Sequence, residues 1–130
     1  MPTRRDARER ALSLAYECEQ RDLGVEALLA DLPVEPDPYA VQLVRGVEAH
    51  HEEIDALLRK YSEHWALERM PVVDRALLRI GTYELAYLPD VPTAAVITEA
   101  VEIARQYSTK DSGRFVNALL SRIAEEVRSS

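Results

Sequence analysis

The sequence predicts an all-α protein of about seven helices, and three observations carry the prediction. Apolar residues recur at helical spacing in segment after segment, no segment keeps the alternation of a half-buried strand, and prolines stand where helices begin and end. The chain of 130 residues suits one domain, residues 1–130, with a real core. Hydrophobic residues at 47% and charged residues at 30% describe an ordinary soluble composition. Four glycines and few aromatics also favour helix over sheet.

The elements follow in order. Residues 4–20 read as a first helix, with Ala7, Ala11, Leu14, Ala15 and Cys18 along one stripe. Gly24 interrupts, and a short helix runs from Val25 to Leu32. The stretch "PVEPDP" stops it, since prolines at this density cannot be helical. Asp37 then Pro38 is a start signal, an N-cap followed by proline at the first helical position. Leu43, Val44, Val47, Ile54, Leu57 and Leu58 carry that helix to about residue 60. A short piece around Trp65 leads to Pro71, where a helix over 71–88 begins; it is apolar nearly all round and belongs at the centre of the fold. After "LPDVP" a helix from Thr93 to Tyr107 sets Val96, Ala100, Ile103 and Tyr107 on one face. Beyond "STKDSG", the last helix carries Phe115, Val116, Leu119, Leu120, Ile123 and Val127 as one stripe.

Composition excludes several classes. Cys18 is the only cysteine, so no disulfide forms within the chain; a reducing, cytoplasmic location and a small core residue are expected. The start "MPTRR" has no apolar region behind it and is not a secretory signal, and no apolar run approaches a membrane span. His50, His51 and His64 lack metal-ligand spacing, and the glycine-rich phosphate-binding and nucleophile-elbow motifs are absent, so no metal, cofactor or catalytic residue is expected.

Charge is distributed unevenly. The formal net charge is −7, yet residues 1–21 hold five arginines against four acids. Residues 22–69 hold four basic residues against eleven acids, and residues 70–130 hold seven against eight. A polyanion is therefore repelled by the middle third and admitted at the ends. At about 100° per residue, Arg4, Arg5 and Arg8 fall on one flank of the first helix's apolar arc, with Tyr16 beside them, while Arg10 falls on the other side with Asp6 and Glu9. A solvated helix end is the ordinary reading of such a run. Two facts oppose it: arginines near a helix N-terminus work against the macrodipole, and the segment uses only Arg, whose flat fork suits phosphates and base edges. Glu84 sits mid-arc on the apolar side of the central helix, where a carboxylate needs hydrogen bonds or an arginine; a structural ion pair is favoured over an acid catalyst.

The segments "RRDARERALSLAY", "ERMPVVDRALLRIGTYEL", "DVPTAAVITEAVEIARQYS" and "SGRFVNALL" resemble, in order, the motifs of the NusB family of bacterial transcription antitermination factors, over roughly residues 4–125. The resemblance implies two small helical bundles packed around long central helices. It implies binding to single-stranded boxA RNA together with ribosomal protein NusE, in the transcribing RNA polymerase complex with other Nus factors. By the same motifs it implies RNA contacts for Arg4, Arg5, Arg8, Tyr16, Lys110, Asp111, Ser112, Arg114 and Phe115, with Asn117 in the same segment, and a partner interface at Asp74. Tyr16 also reads as a boundary core residue, and Phe115 lies on an apolar stripe where packing is its main role. Asp6 stands where relatives are often basic, and Thr98 where they usually have Asn.

Two other readings stay open. RNA cytosine methyltransferases carry a domain similar to this family, although this sequence ends at Ser130 without a cofactor-binding α/β domain. A helical scaffold that binds only protein is the other. Some relatives form homodimers, and the residues do not decide that.

Overall fold

The computed structural model describes residues 3–63 and 65–128; His64 lies outside the described residues. They form seven α-helices and no strand: α1 (Arg4–Arg21), α2 (Val25–Asp31), α3 (Pro38–Ala49), α4 (His51–Ser62), α5 (Val72–Tyr87), α6 (Thr93–Tyr107) and α7 (Ser112–Val127), with a single 3-10 turn at Leu67–Arg69.

Local chemistry sets most of the boundaries. Thr3 and Asp6 form a reciprocal capping box: the Asp6 amide donates to Thr3 Oγ1 at 3.0 Å and the Thr3 amide donates to Asp6 Oδ2 at 3.0 Å. Asp6 thus supplies the acid that the macrodipole wants in a first turn otherwise rich in arginine. Asp37 caps α3 by accepting from the Tyr39 amide at 2.7 Å, with Pro38 opening the helix.

The helix expected over 38–60 is two helices. At His50 the backbone turns, with φ −113° and ψ 25°. The apolar spacing runs across this break, but its two halves serve different neighbours. α3 packs on α1 and α5, whereas α4 packs on α5 and α7. His50 covers the corner, its ring stacked on Tyr87 with centroids 3.8 Å apart.

Two bundles share one helix. α1 and α3 pack together and onto α5, with α2 against α1 and α3; α4, α6 and α7 pack around the same α5. Ten of the sixteen residues of α5 are buried, a larger share than in any other helix. Leu14, Leu28 and Leu43 on one side and Ile54, Leu58, Ile103, Leu120 and Ile123 on the other close over Leu77, Leu78 and Leu85 in one continuous core. Each such side chain contributes about 1.5–3 kcal/mol of transfer free energy. On α6 the buried face is Val96, Ala100, Ile103 and Ala104; Tyr107, expected on that face, is half exposed.

α3 and α5 touch at a glycine. A Cβ at Gly46 would lie 2.1 Å from the Tyr83 ring, which is itself pinned in the core. Gly46→Ala is therefore expected to cost about 1–3 kcal/mol or more through overpacking. Thermal unfolding followed by circular dichroism checks this, and an unchanged midpoint would contradict it.

Buried polar groups hold the bundles in register. Asp55 of α4 accepts from Arg79 of α5 at 2.9 and 3.0 Å and faces His51 Nε2 at 3.0 Å. Arg128 reaches back from beyond α7 and donates to the carbonyls of Glu84, Leu85 and Leu88 at 3.1, 3.0 and 2.8 Å, satisfying the open end of α5. Cys18 is partly buried between α1 and its neighbours, and burial pushes its thiol above the ordinary range, so it behaves as a small apolar residue. No helix among the described residues is long and apolar enough to cross a membrane.

Candidate nucleic-acid interface

The four arginines at the start of α1 have four different environments. Arg4 is exposed, and its guanidinium lies 3.7 Å over the centroid of the Tyr39 ring on α3. Arg8 is inside. Its Nε donates to Glu84 Oε1 at 2.9 Å and its NH2 to Glu84 Oε2 at 2.8 Å, and it is only 3% exposed. The Tyr39 hydroxyl donates to the same Glu84 Oε2 at 2.6 Å. Burial, then this hydrogen bond, pushes the Tyr39 hydroxyl well above the usual tyrosine range, so it stays a donor. Tyr39 therefore offers its ring to Arg4 and its hydroxyl to the carboxylate that holds Arg8.

Arg5 turns to α6. Its NH1 donates to Glu99 Oε2 at 3.2 Å and Glu102 Oε2 at 3.0 Å, its NH2 to Gln106 Oε1 at 3.3 Å, and its Nε stands 3.7 Å from Glu9. Arg10 points away and donates to its neighbour Ser13 at 3.2 Å.

Arg8 therefore does not share the exposed flank expected of it. Helical angle groups Arg4, Arg5 and Arg8, but α3 and α5 cover part of that flank, and Glu84 compensates the charge they bury. Glu84 is the buried carboxylate that α5 required to be paired, and Arg8 is its partner.

Tyr16 is 48% exposed and Tyr107 50% exposed. They border one cleft, floored by Leu12 and Val73 and edged by Glu9 and Glu17. Gln106 Nε2 donates to the Tyr107 hydroxyl at 3.2 Å, so this cleft adjoins the Arg5 cluster.

The connection between α6 and α7 is tied down from below. Ser108 Oγ donates to Asp74 Oδ1 at 2.5 Å, Ser112 Oγ to Asp74 Oδ2 at 2.8 Å, and the Thr109 amide to Ser112 Oγ at 3.1 Å. Asp74 and Ser112 are both buried. The resemblance implies an RNA contact for Ser112 and a partner contact for Asp74; in the structure both side chains spend their hydrogen bonds on holding the connection in place, at a cleft lined also by Trp65, Arg114 and Phe115. Lys110, Asp111, Arg114 and Asn117 are exposed, and Arg114 lies 3.4 Å from Asp111. Phe115 is half-buried, edge-on to Trp65 with centroids 6.3 Å apart.

Four residues of this surface, Trp65, Glu99, Glu102 and Tyr107, and the buried Tyr39 beneath Arg4 were not singled out in the sequence for a role here. Trp65 carried a signal, a lone tryptophan in a short polar connection. Glu99 and Glu102 carried a weaker one, acidic residues at i and i+3 on one helix face. Tyr107 was assigned to the apolar stripe, and nothing local marks Tyr39. Among the described residues no group of three or more His, Cys, Asp or Glu is placed to hold a metal ion.

Fold and surface define a class: an all-helical protein of two bundles sharing a central helix, with Arg5, Tyr16 and Tyr107 near the contact of α1 with α6 and Arg4 exposed beside them. Residues 5–125 match the profile of the NusB family. The transcription antitermination protein NusB of Kineococcus radiotolerans is 51% identical over 129 residues, covering 96% of this chain and 95% of that protein. That of Salinispora arenicola is 48% identical over 132 residues, covering 96% and 97%. The solved structure of T. maritima NusB superposes with a TM-score of 0.86 at 38% identity, over 97% of this chain and 94% of that one. A crystal structure of antitermination factors NusB and NusE in complex with dsRNA gives 0.79 at 28% identity, over 95% and 96%. The chain belongs to the NusB family.

Proposed function

We propose that this protein is an RNA-binding transcription antitermination factor. It binds single-stranded boxA RNA together with ribosomal protein NusE, inside the transcribing RNA polymerase complex with other Nus factors. It acts by binding rather than by catalysis, as one domain, in the cytoplasm. Family membership over residues 5–125 supports the role. The observation that carries the RNA reading is the placement of Arg5, Tyr16 and Tyr107 around the junction of α1 with α6, with Arg4 exposed beside it on the α3 side of α1. Single-stranded RNA is gripped by phosphate contacts and by stacking on exposed aromatics or arginine planes, and this junction offers both.

Arg4, Arg5, Tyr16, Lys110, Arg114 and Phe115 are the proposed contact residues, with Asp111 on the same exposed connection. Arg8, Ser112 and Asp74 act from inside, as supports.

Fluorescence anisotropy with three labelled RNAs, a single-stranded boxA, a scrambled single strand and a duplex, tests the reading with and without NusE. The single-stranded boxA should bind tightest. Arg4→Ala should weaken binding and flatten the salt dependence by about 0.7, the value for one lost single-strand phosphate contact. Arg10→Ala should leave the slope unchanged. Equal effects of the two variants would sink the assignment, and preference for the duplex would overturn the single-strand reading.

A further inference from the structure

Arg5 is the one arginine of the opening cluster that meets several carboxylates at once. Glu99 and Glu102 lie within 3.2 Å of its NH1, Glu9 stands 3.7 Å from its Nε, and Gln106 accepts from its NH2. These groups surround a partly exposed guanidinium, with side-chain exposures of 26% for Arg5, 29% for Glu99 and 51% for Glu102. A phosphate would use the same donors on the same fork. Before Arg5 can hold a phosphate, its NH1 must leave two carboxylates, which then stand beside an incoming polyanion.

Resting on the RNA reading above, we infer that Glu99 and Glu102 are specificity-determining residues: they occupy Arg5 as internal phosphate mimics, so that only an RNA already seated by its other contacts recruits it. The arrangement weakens every RNA, but not equally. An RNA that stacks on Tyr16 and reaches Arg4 has other contacts to offset the displacement, and holds its backbone beside Arg5 while the exchange occurs. A scrambled strand meets Arg5 as a neutralised group and loses one phosphate contact. This also accounts for an otherwise unfavourable feature. The RNA-facing end of α1 has a carboxylate pair on the adjacent helix, where charge complementarity with RNA alone would forbid it.

The test is the Glu99→Gln/Glu102→Gln double variant. Glutamine keeps the shape and the acceptor oxygens but removes the charge. Glu52→Gln/Glu53→Gln on the exposed first turn of α4 changes net charge equally and is the control. Anisotropy titrations use single-stranded boxA and a scrambled strand of equal length over a range of salt. The Glu99/Glu102 variant should bind the scrambled strand about three- to tenfold tighter than wild type, as expected for releasing two partly exposed ion pairs. Its salt slope for that strand should steepen by about 0.7, one recruited contact. Its preference for boxA should shrink, and in an Arg5→Gln background the double substitution should do no more than the control.

A gain that matches the Glu52/Glu53 control, or persists without Arg5, overturns the inference and reduces the effect to net charge. Wild-type binding to boxA with unchanged discrimination in the variant overturns it while leaving the RNA reading intact. Absence of single-strand binding by all proteins overturns both.

Discussion

Replacing Arg8 by alanine is expected to destabilise the protein by about 3–5 kcal/mol, because it strands the Glu84 carboxylate in the core. The midpoint of thermal unfolding should fall by roughly 10–20 °C, which circular dichroism reads directly. Two further results separate this from a role at the RNA. Arg8→Met with Glu84→Met and Tyr39→Phe should recover most of the loss, since a buried ion pair can be exchanged for well-packed apolar groups at little cost. And Arg8→Ala, measured well below its midpoint, should keep the wild-type salt slope for RNA. A slope lower by about 0.7 would put Arg8 on a phosphate after all.

Asp74→Ala is the second substitution with a large expected effect. The carboxylate accepts from Ser108 and Ser112, and removing it leaves both hydroxyls beneath the α6–α7 connection without that partner. A loss of roughly 2–3 kcal/mol follows from charge-assisted hydrogen bonds of this kind. The connection carries Lys110, Asp111 and Arg114, so hydrogen exchange at residues 108–112 should accelerate more than exchange in α1. Unchanged stability combined with impaired partner binding would instead favour the partner-interface role that its position in the family motif implied.

These two substitutions also mark where the sequence stopped being readable. Arg8 and Glu84 were each conspicuous, one in a basic run and one in an apolar arc. Their pairing was not legible, since it depends on α1 lying across α5. A helical wheel gives an angle about one axis; which flank a neighbour covers is a tertiary fact. Asp74 and Ser112 fit the family motifs, but a motif does not say whether a side chain faces in or out. The break at His50 was hidden for a related reason: Val47 and Ile54 keep helical spacing while serving different neighbours. Legible from local chemistry were the caps and stops around α3, α5 and α6, where Asp37, Pro38, Pro71 and the "LPDVP" run act within a few residues. The Thr3–Asp6 capping box went unread, and it gives Asp6 a local role in the first turn of α1.

An acidic chain with few exposed cations on its proposed RNA face is expected to bind RNA modestly alone, with a Kd of roughly 10⁻⁴–10⁻⁶ M, the range of non-specific electrostatic binding. On the function proposed above, tight binding is expected to need NusE to add basic surface beside the RNA, with the acidic middle of the chain as the proposed attraction for a basic partner. Such coupling is reciprocal, so a tenfold gain for RNA in the presence of NusE requires a tenfold gain for NusE in the presence of RNA, about 1.4 kcal/mol. Titration calorimetry of this protein with NusE, with and without saturating single-stranded boxA RNA, measures that term directly. The account predicts about tenfold tighter NusE binding when the RNA is present. Equal affinities in the two titrations would contradict it and leave RNA and NusE as independent ligands.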